Sequence, residues 1–104
     1  MAFEKVCTLE DVGEGRAGRF EVAGIDVIVV WPRGGVPGAF LDRCAHAELP
    51  LSSGWFDEDV IICAYHGWRF DGTTGECISP GGCRLVSYPV KIDGADVLID
   101  VGAR

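Results

Sequence analysis

The chain has 104 residues, a formal net charge of −7, 48% hydrophobic side chains and 24% charged ones. That balance excludes a disordered chain. The negative charge argues against nucleic acid and anionic membrane surfaces as partners. The length suits one compact domain, so residues 1–104 are expected to form a single unit.

In chain order, strand signals dominate. "MAFEKVCTLEDVGEG" has no basic stretch leading into an apolar one, so it does not read as a secretory signal. Within it, "FEKVCTL" reads as a strand. "GEGRAG", Gly13 to Gly18, formally matches the dinucleotide pattern G-x-G-x-x-G. That fingerprint needs a strand before it and a helix after it. Here an acidic stretch precedes and "RFEVAG" follows, so the segment reads as a connecting loop. No nicotinamide or flavin site is expected.

"RFEVAG" and "IDVIVVW" read as strands joined by a tight turn around Gly24. "VIVVW", an uninterrupted apolar run, has the length of a strand and not of a membrane span. Downstream, "VIICA", "RLVSYPVKI" and "ADVLIDV" read as strands. Turns are expected at Asp71-Gly72 and Asp93-Gly94. No segment keeps a 3.6-residue period over three turns. The expected fold is all-β: a hairpin-built antiparallel base carrying a small module at about residues 43–84. Five cysteines, an odd number, fit a reducing compartment, so a cytoplasmic protein is expected.

The chemistry concentrates in that module. Both histidines of the chain lie there, each just after a cysteine: Cys44-x-His46, sixteen residues, then Cys63-x-x-His66. Two thiolates and two imidazoles can hold a metal centre. One possibility is structural zinc in a two-cysteine, two-histidine tetrahedron. Another is a [2Fe–2S] cluster with two histidines replacing two cysteines on one iron. Zinc folds usually take paired cysteines from one knuckle and paired histidines from elsewhere. Here each loop supplies one of each, an arrangement in which two facing loops could place both cysteines on one iron and both histidines on the other.

"CAH…CAYHGW" resembles the signature of Rieske-type iron–sulfur proteins. The likeness continues through "GVPGAFLDRCAH", "HGWRFDGTTGE", "SPGG" and "YPVKIDGADVLIDV". It implies a Rieske fold: an antiparallel β-sandwich base with an inserted cluster-binding subdomain, holding one [2Fe–2S] cluster per chain. Cys44 and Cys63 would ligate the buried iron, and His46 and His66 the outer one. Gly67 would let the backbone approach the cluster. Trp68 would exclude water, and Pro80, with Gly81 and Gly82, would shield it. Each of the last three also suits an ordinary turn or core position. Arg43 and Arg69 flank the ligand segments and would by default be solvated.

High-potential relatives carry a disulfide between the ligand loops. The corresponding positions here are Leu49 and Tyr65. Serine and tyrosine hydroxyls of those relatives are replaced here by Trp68 and Phe70. Fewer hydrogen bonds to cluster sulfur imply a low potential. Cys7 is expected in a buried strand. Cys77 and Cys83, at the two ends of the Pro loop, are expected as thiols.

Rieske oxygenases need a second, mononuclear iron held by two histidines and a carboxylate, and this chain has no histidine left for one. The resemblance therefore implies an electron carrier and not an enzyme. It would relay single electrons from a flavin-containing NAD(P)H reductase to a terminal aromatic ring-hydroxylating dioxygenase, with no small-molecule substrate and no membrane or nucleic-acid partner. Service to a di-iron hydroxylase, a small subunit of another reductase, and a zinc-stabilised interaction module are the alternatives.

Overall fold

The computed structural model describes residues 3–44, 49–57, 59–64, 67–79 and 81–102. The strands are β1 (Glu4–Thr8), β2 (Ala17–Val22), β3 (Ile25–Val30), β4 (Gly38–Leu41), β5 (Trp55–Asp57), β6 (Val60–Ile62), β7 (Arg69–Asp71), β8 (Cys77–Ser79), β9 (Ser87–Tyr88), β10 (Val90–Asp93) and β11 (Asp96–Ile99). They form three antiparallel sheets, ordered β1-β11-β10, β2-β3-β4-β9 and β5-β6-β7-β8. The all-β expectation holds. One helical turn, α1 (Leu9–Val12), and one 3-10 turn, Leu51–Ser53, complete the elements.

The run Val27–Val30 explains the layering. Strand side chains alternate between faces, so four successive buried residues need cover on both sides. Val27 and Val29 enter a core with Cys7, Val97 and Ile99 of the first sheet. Ile28 and Val30 enter a second core with Ile61 and Phe70 of the third. The β2-β3-β4-β9 sheet is therefore the middle layer. The inserted stretch leaves from β4 and returns as β9, and these are neighbours: Ala39 pairs with Tyr88 and Phe40 with Ser87. The module is thus anchored at both ends on adjacent strands.

Local chemistry accounts for the departures from expectation. "FEKVCTL" ends early because Leu9 opens α1; the Thr8 N–H donates to the Asp11 carboxylate at 2.9 Å, and Gly13 at φ 85° stops the turn. "RLVSYPVKI" is not one strand. Pro89 has no N–H to give a ladder, and the chain passes there from the middle sheet (β9) to the first (β10). The Ala23-Gly24 turn is as expected, with both residues at positive φ. The last hairpin turns on Gly94-Ala95 and not on Asp93-Gly94, since Asp93 still pairs with Asp96. Asp71 does not open a two-residue hairpin. Its carboxylate accepts the Thr73 and Thr74 N–H groups, and its carbonyl accepts from Gly75, a wider turn.

Cys7 lies in β1, buried as expected. Burial, with the Asp11 carboxylate adding to it, pushes its thiol up to about 11 from 9.0. Above pH 9 the unfolded chain releases this proton and the native chain keeps it. The contribution is whole below pH 9 and is lost as the pH rises towards 11, by about 2–3 kcal/mol. Urea unfolding across this range should show a steeper decline in the native chain than in Cys7→Ala. Equal slopes would contradict the burial argument.

Candidate metal centre

Cys44 and Cys63 are 2% and 0% exposed and belong to the same core, between the middle and third sheets. Each opens a loop, and the two loops close in the same way. The Cys44 N–H donates to the Leu49 carbonyl at 2.8 Å, and the Cys63 N–H to the Trp68 carbonyl at 2.8 Å. Both bonds span five residues, so Cys44-to-Leu49 and Cys63-to-Trp68 are twin loops, each headed by a buried thiol. His46, His66 and Pro80 lie outside the described residues.

Gly67 sits in the second loop at φ 67°, where a side chain would be strained, although no protein atom stands within 4 Å of the position a Cβ would take. The protein's own demand for glycine there is backbone conformation. Trp68 is half-buried and packs on the core that holds both cysteines, as do Cys77 and Cys83. Arg43 and Arg69 are exposed. No disulfide joins any two of the five cysteines. The Cys83 thiol is raised from its ordinary value by burial and by the neighbouring Cys77 sulfur.

Two supports were not read from the sequence. Asp42, just before the first loop, has a fully buried side chain. It accepts the Ser52 N–H at 2.8 Å and the Ser52 hydroxyl at 2.6 Å, and it pairs with Arg19 of β2 at 3.3 Å. A buried carboxylate with these partners ties the end of the first loop to the base. Gly54 follows the 3-10 turn. A Cβ there would overlap the Ile62 carbonyl oxygen and lie 2.9 Å from the Ala64 nitrogen. It is the point where the chain leaving the first loop passes against the backbone flanking Cys63. Neither position carries a local signal, because a buried aspartate and a surface aspartate look alike in sequence.

The donor chemistry suits iron–sulfur ligation: two soft, buried cysteine sulfurs, each leading a short closed loop. Residues 2–89 match the Rieske [2Fe-2S] domain. The chain belongs to the Rieske [2Fe–2S] family. Rieske membership carries one [2Fe–2S] cluster per chain, and the two thiols fit the cysteine half of its ligand set.

Among Rieske relatives, the ferredoxin component of biphenyl 2,3-dioxygenase from Rhodococcus jostii (strain RHA1) is 37% identical, over 97% of this chain and 94% of its own length. The ferredoxin component of the alkene monooxygenase system of Xanthobacter autotrophicus (strain ATCC BAA-1158 / Py2) is 35% identical, over 95% and 81%. A solved complex of reduced oxygenase and oxidized ferredoxin in carbazole 1,9a-dioxygenase contains a chain that superposes with TM-score 0.82 at 31% identity, covering 93% of this chain and 91% of its own. These Rieske relatives are electron carriers within oxygenase systems and not the oxygenases themselves. No helix among the described residues is long and apolar enough to cross a membrane.

Proposed function

We propose that this chain is the ferredoxin component of an aromatic ring-hydroxylating dioxygenase. It accepts single electrons from a flavin-containing NAD(P)H reductase and passes them to the terminal oxygenase, in the cytoplasm, as one domain over residues 1–104. The observation that carries this reading is the pair of buried thiols at the head of twin loops, in a chain alike almost end to end to the biphenyl dioxygenase ferredoxin. Cys44, Cys63, His46 and His66 would hold the cluster, with Gly67, Trp68 and Pro80 around it. When bound, the cluster takes up and returns one electron. The protein's part is to exclude water and set the potential.

The described residues of the core around Cys44 and Cys63 are apolar side chains and thiols: Ile28, Val30, Phe40, Leu51, Ile61, Phe70 and Leu85, with Trp68, Cys77 and Cys83 at its edge. At Trp68 and Phe70, where high-potential relatives carry serine and tyrosine hydroxyls, the side chains have none to bond the cluster sulfurs and favour reduction. A potentiometric titration should give a one-electron midpoint near the low end of the Rieske range, roughly −150 mV. A midpoint well above zero would refute the argument.

The functional test is reconstitution. With NADH, a flavin reductase and the biphenyl or carbazole dioxygenase, product should form only when this chain is added. Its rate should fall as salt rises, because transient docking of a chain of charge −7 is screened. Absence of turnover with every dioxygenase pair would exclude the assignment. The likeness to the alkene monooxygenase ferredoxin favours one second reading, a monooxygenase partner, and the same assay with that oxygenase separates the two.

A further inference from the structure

The segment "CISPGGC" begins and ends on a thiol, Cys77 and Cys83. Its stems are paired. Glu76 faces Arg84 across an antiparallel bridge with an ion pair at 3.1 Å. The Leu85 N–H donates to the Gly75 carbonyl at 2.8 Å, and the Cys77 N–H to the Cys83 carbonyl at 2.9 Å. Cys77 therefore stands directly opposite Cys83 at a hydrogen-bonded position. Cα atoms at such positions lie about 5.5 Å apart, within the Cα range of a disulfide, and the Cβ atoms must close in by about 1 Å for the bond to form. Cys77 Sγ also accepts the Gly81 N–H at 3.3 Å, so its rotamer is held within the loop. Both thiols are partly exposed, whereas Cys7, Cys44 and Cys63 are buried. Both pack against the core that holds Cys44 and Cys63.

We propose that Cys77 and Cys83 form a redox-modification site: a dithiol that a peroxide converts reversibly to a disulfide, closing the loop beside the metal-binding core. One thiolate attacks the peroxide O–O bond, giving a sulfenic acid and releasing water once the leaving oxygen is protonated. The second sulfur attacks the sulfenic sulfur, forming the S–S bond and releasing a second water. Two electrons leave the sulfurs and reduce one peroxide. A dithiol reductant reverses the step by exchange. The site stands on cross-strand geometry alone and does not depend on which oxygenase the chain serves.

The test uses the purified holoprotein treated with hydrogen peroxide in equimolar amount. Remaining thiols are then alkylated and the protein is mapped by mass spectrometry, with visible absorption followed in parallel. The expected result is the loss of two hydrogen masses, a cross-link between Cys77 and Cys83, restoration by dithiothreitol, and retained visible absorption. In Cys83→Ser and in Cys77→Ser the cross-link should be absent, and the remaining cysteine, once oxidised, should be found as a sulfenic or sulfinic acid, since the resolving sulfur is gone. Cys7→Ser should leave the cross-link unchanged. A cross-link through Cys44 or Cys63, over-oxidation of Cys77 without a cross-link, or thiol loss only after the chromophore has bleached would each overturn the proposal.

Discussion

Cys63→Ser is expected to give a colourless protein that binds no iron. The serine oxygen is a hard donor and keeps its proton at neutral pH, so it replaces a thiolate poorly in an iron–sulfur site. Its position makes the change costly in stability as well. Cys63 has no exposed surface and sits among Ile61, Phe70 and Leu51. A hydroxyl is costlier to bury in that apolar core than a thiol. Loss of the centre adds to this, because ligation energy is folding energy when a metal ties two loops together. The expected fall in Tm is roughly 10 °C or more. Cys44→Ser should behave alike, given the matching loop closure. Cys7→Ser, in the other core, should keep iron and colour. Iron analysis, visible absorption and a thermal melt read the outcome. Full iron in Cys63→Ser would remove it from the ligand set.

Gly54→Ala is expected to cost about 3–5 kcal/mol, among the largest effects of any single methyl group in this chain. The added carbon would occupy the space of the Ile62 carbonyl oxygen and crowd the carbonyl carbon at 3.0 Å. The obstruction is backbone, so no rotamer change relieves it. Either the β5–β6 pair separates or the segment flanking Cys63 shifts, and both disturb the second ligand loop. Gly35→Ala is the matched control. Its added carbon would meet only Pro32, at 3.5 Å, and its φ is not in the left-handed region. Urea unfolding of both should show a large loss of midpoint for Gly54→Ala and almost none for Gly35→Ala. A neutral Gly54→Ala would mean that the two segments are not in contact.

The parts legible in the sequence are those written locally. β2 and β3 combine β-branched runs with a turn whose φ values Gly24 permits. The cysteine–histidine spacing could be read because ligation chemistry restricts residue types. β4, β5, β7 and β8 carry no strand signal that the sequence reading could use. None exceeds four residues, too few to show a clear period of two, and each is held by its neighbours across the sheet. The split at Pro89 was missed for a related reason. Proline marks an interruption but does not say which sheet the chain joins next.

By itself the sequence determined the all-β class and the paired cysteine–histidine pattern, because these rest on residue type and short-range spacing. Only the tertiary structure decided which residues serve the site from a distance. It placed Asp42 under Ser52 and Arg19, pressed Gly54 against the Ile62 backbone, and set Cys77 opposite Cys83. Burial and contact depend on what folds against a residue, and these partners lie beyond the reach of local spacing rules.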